Sequence, residues 1–171
     1  MKRNVEIKAR LHDVQAVRAR VAKIAQGDPE QVVQEDVFFC SPRGRLKLRI
    51  LSDSRGELIF YQRPDILGPK TSTYLVASII GPRELQAVLA AALGIRGTVR
   101  KQRLVYTVGR TRIHIDEVEG LGHFLELEVV LNDHEDPTRG EREAHALMEK
   151  LGIRPDQLVE GAYLDLLEKS G

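Results

Sequence analysis

The chain has no tryptophan and a single cysteine, Cys40. One thiol cannot close a disulfide within the chain, and there is no cysteine cluster to hold structural zinc, so a reducing, cytoplasmic setting is expected. Long apolar runs are also missing. None approaches the ~20 residues a membrane-spanning helix needs, and the opening residues MKRNVEIKAR carry no apolar signal-type stretch. Neither sign of charge is in excess: 26 Lys and Arg stand against 25 Asp and Glu, a formal net charge of +1. That balance argues against a general nucleic-acid binder and requires any anion site to be a local cluster. Glycine-built phosphate loops are absent, since neither the P-loop spacing nor a dinucleotide fingerprint occurs. His12, His114, His123, His134 and His145 lack the i, i+4 pairing of a helical zinc site.

What is present is a 171-residue chain with 42% hydrophobic and 30% charged residues. That is long enough to bury a core without staples, and no linker or repeat divides it, so one domain over 1–171 is expected. Residues 3–11, RNVEIKARL, alternate with a period of two and read as a strand. Asp13 then caps a helix with the apolar stripe Val14, Val17, Val21 and Ile24. Strands are predicted over 31–40, 45–51, the segment after Gly56, and 70–80. A helix follows over 81–95, begun by Pro82 and ended at Gly94, and then strands over 98–108, 110–118 and 123–131. Helical spacing returns over 138–151 and again over 158–167. Strands joined mostly by hairpins describe an α+β protein with a large antiparallel sheet.

The polar faces of these strands are charged in a repeated way. Asn4, Glu6, Lys8 and Arg10 share one side of the first strand; Arg45, Lys47 and Arg49 one side of another. Lys101 and Arg103, then Arg112, His114 and Asp116, then Glu126 and Glu128 repeat the pattern, and Arg63 ends its strand in the same style. The ordinary reading of alternating charge is a sheet face turned to water. A sheet of about eight strands, however, tends to curl and close, which would turn alternate residues inward while amphipathic helices cover the outside. Bases and carboxylates converging there suit a metal-bound triphosphate, the bases neutralising phosphate oxygens and the acids holding a hard divalent cation.

The strand NVEIKAR resembles the E-x-E-x-K signature of the CYTH superfamily, the triphosphate tunnel metalloenzymes. QEDVFF, LKLR, YQRP, RKQRLVY and IDEVEGLGHFLELE follow in that family's order and cover nearly the whole chain. The resemblance is greatest to class IV adenylyl cyclase-like proteins. It implies an eight-stranded antiparallel closed β-barrel, the triphosphate tunnel, with helices packed outside, and Mg²⁺ or Mn²⁺ as cofactor. Carried over residue by residue, it implies Glu6, Asp116, Glu126 and Glu128 as metal ligands. Lys47, Arg49, Arg63, Lys101 and Arg103 become substrate-binding bases, with Lys8 and Arg63 in catalytic positions. Asn4 departs from the pattern, because it stands where the signature's first glutamate belongs. Tyr163 is read either as a closure of the tunnel mouth or as a packed helix residue.

The function this implies is divalent-metal-dependent chemistry on a triphosphate, with conversion of ATP to cyclic AMP and pyrophosphate as the leading case. The alternatives are hydrolysis of thiamine triphosphate, a nucleoside triphosphate or inorganic triphosphate, and a polyphosphate- or nucleotide-binding module without turnover. A small-molecule triphosphate is the expected partner, with no membrane association, and the resemblance implies a possible homodimer.

Overall fold

A computed structural model describes residues 1–171. Eight strands, β1 (Lys2–Arg10), β2 (Glu30–Phe39), β3 (Arg45–Ile50), β4 (Arg55–Gln62), β5 (Lys70–Ile80), β6 (Ile95–Val108), β7 (Thr111–Val118) and β8 (Gly122–Val130), close into a barrel. Every neighbouring pair is antiparallel, in the order β1-β5-β4-β3-β2-β6-β7-β8. Four helices, α1 (Val14–Ile24), α2 (Pro82–Leu93), α3 (Pro137–Leu151) and α4 (Tyr163–Ser170), complete the α+β fold.

The apolar half of the alternation faces outward and is buried by helices. Val5, Ile7 and Ala9 of β1 join Leu125, Leu127 and Val129 of β8 against Val17 and Val21 of α1 and Leu147, Met148 and Leu151 of α3. On the far side, Val37, Phe39, Leu48 and Ile50 are covered by Leu85, Leu89 and Ala90 of α2. Because apolar residues are consumed on the outside, the polar half of each strand has no direction left but the barrel interior.

Three local features differ from the sequence expectation. β6 begins at Ile95 rather than near 98, because Gly94 ends α2 at φ 79° and a bulge between Phe38 and Phe39 shifts the β2–β6 register to admit the extra residues. Val118 lies on the same face as Asp116, so the face that the sequence marks as charged through Arg112, His114 and Asp116 turns apolar at the end of β7. Residues 158–161 are not helical: Leu158 is extended and bridges Ala9, the Val159 amide donates to the Lys8 carbonyl at 2.9 Å, and Gly161 bends the chain at φ 80°. β1 pairs with β5 only from Lys2 to Glu6, so the lower edge of β1 is open, and this segment covers it. The helix starts only at Tyr163, where the Asp165 carboxylate accepts the Ala162 amide at 2.7 Å.

Candidate functional site: a charged tunnel

Inside the barrel is a cavity of about 440 Å³, lined by alternate residues of all eight strands. Asn4, Glu6 and Lys8 enter it from β1; Lys47 and Arg49 from β3; Lys101 and Arg103 from β6; Glu126 and Glu128 from β8. One end is stopped by Phe38, Val99, Val118, Phe124, Tyr163 and Leu164, an apolar plug to which α4 contributes its first two residues. Tyr163 meets both readings, since it is packed within the plug and the plug closes one end of the tunnel. It is 4% exposed, meets Phe124 edge-on, and donates its hydroxyl to Asp116 Oδ2 at 2.8 Å.

The cations are arranged around buried acids. Asp36, 1% exposed, accepts Lys47 Nζ at 2.8 Å and the Nε and Nη2 of Arg49 at 2.9 and 3.2 Å, with Lys101 Nζ 3.7 Å away. Burial opposes ionisation of Asp36, yet Arg49, Lys47 and Lys101 together hold its carboxyl well below the usual range. Arg103 makes a two-pronged contact to Asp116 and also reaches Glu126 at 3.1 Å. Arg63 donates to Glu6 at 2.7 Å and to the Gly161 carbonyl at 2.9 Å, where Lys8 also donates at 3.1 Å. Burial pushes Lys8 down to about 8, partly offset by Glu126, and Lys47 down to about 7, partly offset by Asp36. Amines so close to losing their charge in the free protein are ones that an incoming polyanion would hold charged.

A different group of atoms suits a cation. His114, Glu126 and Glu128 place one ligand atom each within 4.8 Å of one another. The Nδ1 atom of His114 is buried and has no hydrogen-bond partner, so a donor is left over where two carboxylates converge. Two carboxylates and an imidazole are chemically apt for a divalent ion, and the donor set therefore fits the metal that the sequence resemblance implies. Of the four acids named from that resemblance, Glu126 and Glu128 fall in this group. Glu6 is engaged by Arg63, and both oxygens of Asp116 are engaged by Arg103 and Tyr163.

All the named bases, Lys8, Lys47, Arg49, Arg63, Lys101 and Arg103, line the cavity, and so does Asn4, 2% exposed with its Oδ1 unpartnered. Sequence reasoning gave no role to Asp36, although it lies in the quoted QEDVFF and shares its parity with Gln34 and Phe38. Lys70, 2% exposed and donating to the Ile66 carbonyl at 2.8 Å, was passed over as well. Its pairing opposite Glu6 could not be read without the β1–β5 register.

A closed antiparallel barrel whose interior gathers paired cations and acids defines a class: a charged tunnel with donors that suit a divalent metal. The chain belongs to the CYTH domain family, which it matches over residues 2–163. It is 27% identical over 169 residues to a proposed adenylate cyclase of Methanocaldococcus jannaschii, covering 95% of this chain and 97% of that one. Its fold is similar to that of the PH1012 protein of Pyrococcus horikoshii, with a TM-score of 0.85 at 19% identity, over 96% of this chain and 99% of the other. It is also similar to a proposed adenylyl cyclase of Hippeastrum described as having a dominant triphosphatase activity. The TM-score there is 0.64 at 16% identity, over 98% of this chain and 96% of that one.

Proposed function

We propose that the tunnel binds the triphosphate of ATP and that the chain is a divalent-metal-dependent adenylyl cyclase, forming cyclic AMP and pyrophosphate. The observation that carries the reading is the convergence of Lys8, Lys47, Arg49, Arg63, Lys101 and Arg103 on one cavity closed at its far end by an apolar plug. Phosphate oxygens are acceptors only, and guanidinium and ammonium groups are the donors that match them.

Lys47, Arg49 and Lys101 would share their charge between Asp36 and the phosphate chain, fixing it along one wall. Lys8 and Arg63, anchored together on the Gly161 carbonyl, would oppose the charge that builds on the departing pyrophosphate. In cyclisation the 3′-hydroxyl oxygen attacks the α-phosphorus, the α–β anhydride bond breaks, pyrophosphate leaves and the hydroxyl proton passes to water. Glu126 and Glu128, with His114, would hold Mg²⁺ or Mn²⁺, which when bound would supply positive charge to offset that of the phosphates. The apolar plug keeps bulk water from that end of the site.

Hydrolysis of a triphosphate is the second reading, favoured by the activity named for the Hippeastrum protein. Asn4 weighs against it, because a neutral amide is a poor base for water where the signature has a glutamate. Incubation of metal-loaded protein with ATP, thiamine triphosphate and inorganic triphosphate decides between them. Cyclic AMP with pyrophosphate supports the cyclase, orthophosphate the hydrolase, and tight binding without product a binding module.

A further inference from the structure

His114 projects from the middle of β7 into the tunnel and is 5% exposed. Its Nδ1 stands 3.8 Å from Glu126 Oε2 and 3.8 Å from Glu128 Oε1. Those separations are too long for hydrogen bonds, and the nitrogen has no other partner. Two donors bound to one ion at about 2.1 Å lie roughly 3 to 4.2 Å apart, depending on the angle between them. The spacing is thus that of co-ligands rather than of a hydrogen-bonded pair. Glu128 Oε2 is held by Arg112 at 2.8 Å and Glu126 Oε1 by Lys8 at 3.4 Å, while Glu126 Oε2 accepts Arg103 Nη2 at 3.1 Å. Glu128 Oε1 is left facing the imidazole, and an ion bound here would share Glu126 Oε2 with Arg103.

We infer that His114, Glu126 and Glu128 form a divalent-cation site whose nitrogen ligand biases it toward Mn²⁺, and other ions that accept imidazole, over Mg²⁺. The inference rests on the reading of the tunnel as a metal-using triphosphate site and goes beyond it in deriving an order of ions from the nitrogen ligand. Mg²⁺ is a hard ion that prefers oxygen ligands and retains its waters, whereas imidazole suits transition ions. With Asn4 in place of a carboxylate, the site also lacks a charge that would favour the harder ion.

The test uses the full chain, stripped with chelator and titrated with Mn²⁺ while the free-ion electron paramagnetic resonance signal is followed. The expected result is a bound Mn²⁺ with ¹⁴N coupling in pulsed spectra, displaced by Mg²⁺ only at about tenfold or greater excess. His114→Ala should abolish the coupling and weaken Mn²⁺ binding about 10- to 100-fold, with Mg²⁺ affinity changed less than about threefold. His114→Gln keeps a polar side chain of similar reach, so it serves if the alanine variant fails to fold; it too should lose the coupling. Absence of Mn²⁺ binding, bound Mn²⁺ without ¹⁴N coupling, coupling that survives both substitutions, or equal affinity for the two ions would each overturn the inference. A parallel titration with inorganic triphosphate separates the two readings. Nitrogen-coordinated Mn²⁺ without triphosphate binding leaves this inference standing and removes the functional one, while triphosphate binding alongside uncoupled Mn²⁺ does the reverse.

Discussion

Arg103 holds Asp116 through both arms of its guanidinium, Nε at 2.7 Å from Oδ1 and Nη2 at 2.6 Å from Oδ2. Both side chains are almost completely shielded, at 4% and 0% exposure. Burial disfavours the charged carboxylate, but Arg103 outweighs it and keeps Asp116 below its ordinary range. Asp116 thereby orients an arginine that lines the cavity. Asp116→Ala is expected to leave the buried arginine with Glu126 alone and the Tyr163 hydroxyl without its acceptor, with a loss of about 1–3 kcal/mol in denaturant unfolding. Mn²⁺ affinity should change little, in contrast to Glu126→Gln, which should weaken Mn²⁺ binding while keeping the fold. Equal loss of metal in both variants would return Asp116 to the ligand set.

Arg49 faces the cavity with its guanidinium on Asp36. Arg49→Ala leaves Asp36 paired with Lys47, so the acid is not orphaned and folding should survive. Loss of charge-assisted contacts worth about 1.5–3 kcal/mol should weaken inorganic triphosphate binding roughly 10- to 150-fold, measured by calorimetry. An unchanged dissociation constant would show that β3 does not meet the ligand.

Lys47 sets a pH dependence. Burial brings its pKa from 10.5 down to about 7, with Asp36 partly opposing. Between about 7 and 10.5 the unfolded chain binds the extra proton, so this group makes stability rise with pH across that window. Ligand binding has the opposite sign. Phosphate charge raises the pKa in the complex, a proton is taken up on binding, and affinity falls as pH rises above about 7. Calorimetry in two buffers of different ionisation enthalpy should show this uptake in the wild type and a smaller one in Lys47→Met. Equal uptake in both would exclude Lys47 as its source.

Gly97 sits where α4 presses on the barrel. A Cβ there would lie 2.5 Å from Leu164 Cδ1, so β6 and the plug approach this closely only because residue 97 lacks a side chain. Gly97→Val should overpack the plug, cost about 1–3 kcal/mol in thermal or denaturant unfolding, and raise amide exchange in Tyr163–Ser170. Unchanged exchange there would show that the plug is not held by this contact.

Much of the tunnel was legible because a period of two is unambiguous when one parity is charged. Lys47 and Arg49, Lys101 and Arg103, and Glu126 and Glu128 could each be assigned a face before the fold was known. Closure turned that face inward. The illegible parts are those where one face changes character along its length. In β2 the inward residues run Gln34, Asp36, Phe38, and in β7 Asp116 is followed by Val118, because the same face passes from the charged tunnel to the apolar plug. Leu158–Gly161 misled for another reason. The apolar stretch from Leu158 to Leu167 is equally compatible with a non-helical lead-in, and the carbonyl of Lys8 that holds the lead-in is distant in sequence.

Asn4 carries the final prediction. Its side chain is 2% exposed, lines the tunnel one inward position from Glu6, and leaves Oδ1 without a partner. Asn4→Glu puts a carboxylate into that shielded position. Without metal the added charge has no assigned cation and should lower the melting temperature, because burying an uncompensated carboxylate is costly. With Mn²⁺ or Mg²⁺ the same charge should tighten binding and restore the melting temperature, since hard cations favour anionic oxygen over a neutral amide. If a base for water is what this chain lacks, the ratio of hydrolysis to cyclisation should also rise. The measurements are metal titrations and thermal melts in both forms, with cyclic AMP and orthophosphate quantified. Metal affinity and product ratio both unchanged would remove position 4 from the metal's surroundings. Tighter metal binding with cyclic AMP still the sole product would keep position 4 near the ion and exclude water activation as the missing element.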